Sequence, residues 1–293
     1  TDLSASQTAN SYIVSSSGFY KFRIGTRGNG VAGLNIVSGQ GGPTVFRSFD
    51  DNMGATFDID RVDKVDILWW QGDLRNSSAY RTFANGNPSS EDIENECPVT
   101  ILDNGDVSDG FAMFYADVNS DTYGNVGIAA YDANNDIIWS WHIWIQPQIK
   151  LVRVGDFTLM DRNLGATYAP ESAMTVNDDR GADGDLIATV GFYYQWGRKD
   201  PFFGPYRLVG AGNQTMPWFR KEAGGGWRKE TDYLTMGKSS ISESVENPLY
   251  FFTTNNNFWQ TSYTTGKEQA NDLWGYAGNA GTMGNSFAKT MYD

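Results

Sequence analysis

The chain has very few of the side chains that most catalytic and metal sites need. Its 293 residues include one cysteine, Cys97, and one histidine, His142. A single cysteine cannot form a disulfide within the chain, and a single histidine excludes a histidine-rich metal site. No H-x-x-x-H, C-x-x-C or G-x-S-x-G pattern occurs. The sequence therefore carries none of these zinc, redox or serine-hydrolase signatures.

Both of these single residues have a structural interpretation. No histidine context accompanies Cys97, so we interpret it as a buried reduced thiol beside Pro98 rather than as a nucleophile. His142 is the only side chain whose ordinary pKa lies near neutrality. General-base chemistry would need a partner that the sequence does not place, so we expect His142 to bond a neighbour on a half-buried sheet face.

Basic side chains and long apolar runs are also scarce. Lys and Arg number 22 against 35 acidic residues, the net charge is −13, and no basic run exceeds two residues. Nucleic acid is excluded as an expected partner, because phosphate binding needs a concentrated positive face. No stretch approaches the roughly 20 apolar residues that cross a bilayer. The chain begins at Thr1 without a signal segment, and we expect a targeting segment to have preceded it.

Aromatic residues and glycine are abundant instead. Aromatic side chains make up 14% of the chain, and 33 glycines accompany many Asn and Asp residues. This composition favours strands joined by tight turns over long helices, and hence a mainly β protein. The length suits two domains, which we place at residues 1–148 and 149–293.

The first half shows the alternation of strands. The clearest signal is a hairpin of Gly127–Tyr131 and Ile137–Ile145 around a five-residue turn. In its second strand Trp139 and Trp141 share one face, which we expect to be the core side, and His142 lies on the other. Strand follows strand without an intervening helix, so we expect residues 1–148 to form an immunoglobulin-like β-sandwich.

The second half contains an acidic loop with two interpretations. Its carboxylates supply hard oxygen ligands of the kind that calcium takes, but they lack the EF-hand register and its final glutamate. The alternatives are a calcium site at Asp179, Asp183 and Asp185, or a solvated acidic loop without a cofactor, which we favour. With Asp178 these are also the only dense candidates for the paired carboxylates of a glycoside hydrolase.

Other residues of the second half are interpreted as structural. Guanidinium groups beside carboxylates and rings lock irregular loops by bidentate bonding and stacking. On this ground we expect structural roles, with Trp196 buried and Arg198 bonded to loop groups, for Asp161, Arg162, Trp196, Arg198 and Asp200.

Single aromatics follow glycine and asparagine turns toward the C-terminus. Indole faces stack on sugar rings, so four of them are candidate ligand-binding residues: Trp218, Trp227, Trp259 and Trp274. The alternative is that they anchor long loops to a core.

Several long segments together carry a resemblance to a known family. They are Thr8–Val14, Gly18–Phe22, Ile138–Trp144, Asp161–Ala166 and Gly191–Phe202. In these segments the chain resembles the fimbrillin-family surface proteins and lipoproteins of gut anaerobic bacteria. The second half also resembles surface domains of the C-type-lectin-like fold shared with the formylglycine-generating enzyme.

The resemblance implies a fold and a function. It implies a loop-rich α+β second domain of C-type-lectin-like fold, incomplete at its C-terminus because such relatives continue beyond Asp293. The enzyme branch depends on a late cysteine pair that this chain lacks, so catalysis is not implied. We expect a non-catalytic protein of the bacterial cell surface or outer membrane that acts in adhesion, as a pilus-associated or tip component bound to other surface subunits. The alternatives are a surface lipoprotein that binds host or dietary glycans and, more remotely, a glycoside hydrolase.

Overall fold

The structure confirms a mainly β protein. The computed structural model describes residues 1–5, 9–24, 61–73, 78–118, 123–146, 149–169, 185–194, 199–202, 206–207, 213–214, 217–237 and 241–253. Within these ranges strands dominate, and the helices have six to eight residues each. None of the described helices is long and apolar enough to cross a membrane.

Seventeen strands and four short α-helices are described. The strands are β1 (Ser11–Val14), β2 (Gly18–Arg23), β3 (Lys64–Gly72), β4 (Val99–Ile101), β5 (Phe111–Ala116), β6 (Gly124–Tyr131), β7 (Ile137–Ile145), β8 (Leu151–Val154), β9 (Phe157–Met160), β10 (Tyr193–Tyr194), β11 (Pro201–Phe202), β12 (Tyr206–Arg207), β13 (Asn213–Gln214), β14 (Trp218–Lys221), β15 (Trp227–Glu230), β16 (Leu234–Met236) and β17 (Tyr250–Phe252). The helices are α1 (Ser78–Asn85), α2 (Ser90–Asn95), α3 (Asp185–Val190) and α4 (Ile241–Glu246).

Two sheets face each other across the main core. The larger has the order β1-β7-β6-β3-β14-β15, and the smaller is β2-β5-β4. Within these two sheets all strand pairs are antiparallel except β1 with β7. Aromatic rings from the two sheets contact each other. The ring centroids of Phe22 in β2 and Trp141 in β7 are 5.0 Å apart. The arrangement is a two-layered β-sandwich in outline.

The predicted core face of β7 is confirmed from Trp139 to Ile145, whereas Ile137 lies at a register shift and packs on the opposite face. Trp139 and Trp141 are 1% and 2% exposed and belong to the main core with Ile143 and Ile145. The opposite face of β7, expected to be half-buried, is also buried, since His142 and Trp144 are 2% and 0% exposed. Residues from the second half of the chain cover it.

A bulge in β3 changes which of its side chains point to each face of the sheet. The register shifts between Ile67 and Trp69, so Ile67 and Trp70 both face the main core although three positions separate them. Leu68 and Trp69 then belong to a second core with Phe192. The larger sheet is therefore buried on both faces at its centre.

The larger sheet includes strands from both sides of residue 148. Phe219 and Arg220 of β14 pair with Trp70 and Trp69 of β3, and β15 follows as the edge strand. The division into domains at 148 stays a prediction, as do the immunoglobulin-like and C-type-lectin-like assignments.

Candidate functional site

The covered face of the larger sheet carries a buried network around His142. Its Nε2 lies 2.9 Å from Oδ1 of Asn125, and its Nδ1 lies 3.2 Å from Oγ of Ser11. The Nδ2 group of Asn125 donates to the carbonyl of Gly165 at 2.9 Å. This bond fixes Oδ1 of Asn125 as an acceptor, so Nε2 of His142 carries the proton and Nδ1 accepts from Ser11.

Burial holds this imidazole in its neutral form. Desolvation by burial lowers the pKa of His142 to about 3, because the charged imidazolium loses its hydration. Both ring nitrogens already have partners, and the ring is 2% exposed. The predicted structural role of His142 therefore agrees with its placement, and proton exchange with a substrate is blocked by the surrounding side chains.

The loop that follows β9 docks on the same face. Trp144 donates through Nε1 to the carbonyl of Ala166 at 3.2 Å, and Phe192 donates its backbone N–H to Leu164 at 3.0 Å. Gly165 has φ +82°, and a side chain there would enter the ring of Phe192. The Asp161–Ala166 segment is thus an anchor that joins the second half of the chain to the sheet.

Arg162 closes this loop as the sequence predicts. Its Nε and one terminal nitrogen donate to the two oxygens of Asp161 at 2.8 and 2.9 Å, and the other terminal nitrogen donates to Oε1 of Gln146 at 3.0 Å. Both charged side chains are about nine-tenths buried, with exposures of 11% and 12%. The guanidinium bonds lower the pKa of Asp161. The guanidinium thus joins this loop to Gln146 at the end of β7.

A second buried cluster joins Ser140 of β7 to Lys199 and Asp200. The Nζ of Lys199 donates to Oγ of Ser140 at 2.8 Å and to Oδ1 of Asp200 at 2.5 Å, while Oγ of Ser140 donates to the same carboxylate oxygen at 2.7 Å. The ammonium also lies 4.4 Å from the ring centre of Trp139. Asp200 is 7% exposed and Lys199 is 2% exposed in its side chain.

This cluster resembles a serine–lysine pair in spacing but not in chemistry. A lysine that acts as a base must be neutral, whereas Lys199 contacts a carboxylate directly. Its groups are buried and bonded to one another, except that Oδ2 of Asp200 has no hydrogen-bond partner in the described part of the chain. The arrangement fits a structural lock. The sequence predicts a structural role for Asp200 but gives no signal for Ser140 and Lys199, because 59 residues separate the two.

The two described candidate ligand-binding tryptophans lie inside the protein. Trp218 is 1% exposed and donates through Nε1 to the carbonyl of Asp232 at 3.0 Å, and Trp227 is 7% exposed within the main core. Neither presents a ring face to solvent, which fits the alternative of core anchors. The other two candidates, Trp259 and Trp274, lie outside the described residues.

Several other candidate residues of the second half also lie outside the described residues. These are Asp178, Asp179, Asp183, Trp196 and Arg198, while Asp185 is described only as the first residue of α3. In the described part of the chain no group of three or more His, Cys, Asp or Glu side chains is placed to hold a metal ion. Calcium binding by the acidic loop thus stays an alternative.

Cys97 is a free, half-buried thiol that packs against the main core. Desolvation raises its pKa to about 12. Since the thiolate is the reactive form, the thiol is unreactive at neutral pH. This agrees with the predicted structural role.

The exposed feature that stands out is the hairpin β8–β9. Its two strands join through Gly155 and Asp156, with Gly155 at φ +62° as a two-residue hairpin turn favours. All eight strand residues are exposed. Six of them are large apolar side chains that are 41% to 70% exposed: Leu151, Val152, Val154, Phe157, Leu159 and Met160.

Both edges of this hairpin are open among the described residues. The hairpin forms a sheet of two strands only. Asp161 donates its N–H to the carbonyl of Lys150 at 2.9 Å, and ladder bonds recur at every second residue. Val152 and Val154 therefore bond inward to β9, whereas the backbone groups of Leu151 and Arg153 point outward.

The side chains of the hairpin also divide by face. The pairs Val152 with Leu159 and Val154 with Phe157 form one wholly apolar face. The other face alternates Leu151 and Met160 with polar residues. An apolar ribbon with open edges is a surface suited to pairing with another strand.

Comparison of the chain with protein-family models, with curated proteins and with solved structures finds no match.

Proposed function

We propose that this chain is a non-catalytic binding and assembly protein of the bacterial cell surface, as its resemblance to the fimbrillin-family proteins implies. The observation that carries the proposal is the exposed apolar hairpin β8–β9. Six apolar side chains in eight strand residues lie at the surface of a molecule with a net charge of −13. Single exposed apolar residues are ordinary, but a contiguous set with unpaired backbone edges marks an interaction surface.

The partner of this surface is a strand of another protein chain. Unpaired N–H and C=O groups along an edge are satisfied by the backbone of an added strand, while alternate side chains supply contact area. A small apolar ligand would leave these backbone groups without partners. In the described buried clusters both ring nitrogens of His142 and the ammonium of Lys199 are engaged in hydrogen bonds. This engagement also favours binding over catalysis.

The partner strand that we propose is β8 of a second copy. Antiparallel pairing about Val152 places Leu151 opposite Arg153 of the copy, so the outward backbone groups of both strands bond each other. The β-branched side chains of Val152 then meet across the two-fold axis. Arg153 and Asp156 balance each other, so the hairpin avoids the repulsion that the acidic remainder of the two copies exerts.

Proline substitutions at the two edges test this pairing. Proline removes one backbone donor and is tolerated at an outward position of an edge strand. We expect Arg153→Pro to abolish a dimer that wild-type protein forms at about 100 µM or below, a range typical of weak association. Thr158→Pro is the matched control, because it removes an outward donor from β9 and leaves β8 intact. Sedimentation equilibrium measures the association, and circular dichroism confirms folding.

The outcomes separate the alternatives. A dimer retained by Thr158→Pro and lost in Arg153→Pro supports pairing through β8. A wild-type protein that remains monomeric at this concentration, or a dimer unaffected by Arg153→Pro, overturns it. Loss of the dimer in both variants would place the contact on the faces of the hairpin. That result also rejects pairing through β8.

A further inference from the structure

A shallow cavity of about 610 Å³, widely open to solvent, lies at the surface between α1 and α2 and has no part in the hairpin surface. Its volume falls in the range of small-molecule sites, about 300 to 1,000 Å³. Its apolar lining comes from Ala79, Phe83 and Pro88, and its polar lining includes Asn87 and Asp92. An apolar floor with few polar groups is the usual composition of a binding site.

The floor of this cavity is fixed by the main core. The ring of Phe83 lies nearly parallel to Trp70, with centroids 6.2 Å apart and 13° between planes, and it also contacts Phe219 at 5.3 Å. Trp70 and Phe219 are 1% and 0% exposed, whereas Phe83 is partly exposed. One part of the Phe83 ring is therefore held rigidly while another part faces the cavity.

The walls are pinned to β15. Lys229 donates through Nζ to the carbonyl of Gly86 at 2.8 Å, which holds the connection between the two helices. The backbone N–H of Trp227 donates to Oγ of Ser90 at 2.8 Å and holds the start of α2. The cavity is thus pre-formed by contacts with the sheet, which lowers the entropic cost of binding.

The polar rim contains groups with unused bonding capacity. Oδ2 of Asp92 accepts from the N–H and Oγ of Ser89 at 2.9 and 2.6 Å, which fixes the carboxylate and lowers its pKa. In the described part of the chain Oδ1 of Asp92 accepts no hydrogen bond, and the amide of Asn87 forms none. The rim therefore offers a charged acceptor from Asp92, and both a donor and an acceptor from Asn87.

These groups select one class of ligand. The carboxylate of Asp92 disfavours anions, and a purely apolar ligand would displace water from these exposed polar groups without replacing its hydrogen bonds. A cation would bind Asp92 but would make no use of the amide donor of Asn87. Adjacent hydroxyls on a ring both donate and accept, and a pyranose also has an apolar face of C–H groups.

We propose that this cavity binds a neutral pyranose, with the apolar face of the sugar on Phe83 and Pro88 and neighbouring hydroxyls bonded to Asn87 and Asp92. The site differs from the tryptophans that the sequence suggested for glycan binding. It is also independent of the hairpin, so either proposal can fail alone.

Saturation-transfer NMR on the full chain tests this site. The probes are methyl α-D-glucopyranoside, methyl α-D-mannopyranoside and methyl β-D-galactopyranoside at millimolar concentration. We expect transfer to at least one of them, with the C–H protons of one face most strongly affected. Phe83→Leu and Asn87→Ala should each weaken its binding about tenfold, the loss of one contact of ~1.4 kcal/mol.

The exposed carboxylate of Asp106 provides the matched control. Like Asp92 it accepts from a serine N–H and Oγ, at 2.9 and 3.0 Å from Ser108, but it lies outside the cavity. Asp92→Asn should weaken sugar binding, and Asp106→Asn should leave it unchanged. Asn87 is exposed and unbonded, so its variant reports on binding even if Phe83→Leu disturbs the core.

Two results overturn the proposal. One is the absence of saturation transfer to all three glycosides, and the other is binding that Asn87→Ala and Asp92→Asn leave unchanged. Arg153→Pro should retain sugar binding, so failure of the hairpin pairing is distinguishable from failure of this site.

Discussion

The imidazole of His142 lies parallel to the indole of Trp69, with ring centroids 6.0 Å apart and 15° between planes. Gly127 on β6 stands between them and pairs with Trp69 on one side and His142 on the other. The two rings can meet because the central strand has no side chain at this position. Phe192 from the second half of the chain packs edge-on against both rings.

The buried histidine predicts a pH dependence of stability. The pKa of His142 is lowered from 6.5 to about 3 in the folded state, so between these values the unfolded chain binds a proton that the folded chain does not. Stability from this group is fully present above pH 6.5 and is lost as the pH falls. We expect the loss to steepen from about 0.7 kcal/mol per pH unit at pH 6.5 to about 1.3 kcal/mol per pH unit at pH 5, a range that lies above the ordinary pKa values of carboxylates.

Urea unfolding across this range measures the slope. His142→Gln retains an amide that can bond Asn125 but cannot titrate, so its stability should be flatter with pH. Because the chain has one histidine, no second imidazole contributes. An equal slope in the variant, or an NMR titration midpoint of His142 near 6.5, would contradict the assignment.

Gly127→Ala should destabilise the sheet through the same contact. A Cβ at Gly127 would overlap the indole of Trp69, which is packed between His142 and Phe192 and cannot withdraw. Overpacking of this kind costs about 1 to 3 kcal/mol. Gly224→Ala is the control, because a Cβ there meets nothing within 4 Å. Equal unfolding free energies for the two variants would show that the indole moves freely.

Lys199→Met should be among the most destabilising changes. It removes the cation from a carboxylate that is 10% exposed and leaves Asp200 buried without its charge partner. Breaking a buried pair from one side typically costs about 3 to 5 kcal/mol. Arg228→Met is the control, because Arg228 pairs with Glu230 at 3.2 Å but is 61% exposed, and exposed pairs contribute about 1 kcal/mol or less. Similar changes in urea midpoint for both variants would reject the buried lock.

Part of the structure followed from local pattern. The strict alternation from Ile137 to Ile145 predicted that Trp139 and Trp141 enter the core, and the burial of both is confirmed. From Trp139 to Ile145 alternation succeeds because a strand places successive side chains on opposite faces. It fails at Ile137, which packs against the second core where the register shifts. In β3 the same rule fails at Leu68, because a bulge shifts the register.

Sequence patterns did not predict the side-chain contacts between residues far apart in the chain. The bond between Lys199 and Ser140 joins residues 59 positions apart, and Lys221 bonds Asp66 across 155 positions at 2.7 Å. Neither partner has a local signature, since a lysine beside a carboxylate is common on any surface. The cavity at Phe83 was missed for the same reason, as its floor depends on Phe219 from the second half.

The sequence by itself determined the mainly β class, the core face of β7, the locking role of Arg162 and the structural role of Cys97. These depend on composition, on strand period, on the donor geometry of a guanidinium and on the lack of a neighbouring base, which are local properties. Only the tertiary structure decided that His142 is fully buried, that Trp218 and Trp227 are covered, and that β8–β9 is exposed on both faces. Burial depends on which distant segments meet. The same apolar alternation that buries β7 leaves β8–β9 exposed, because no element in the described part of the chain packs on it.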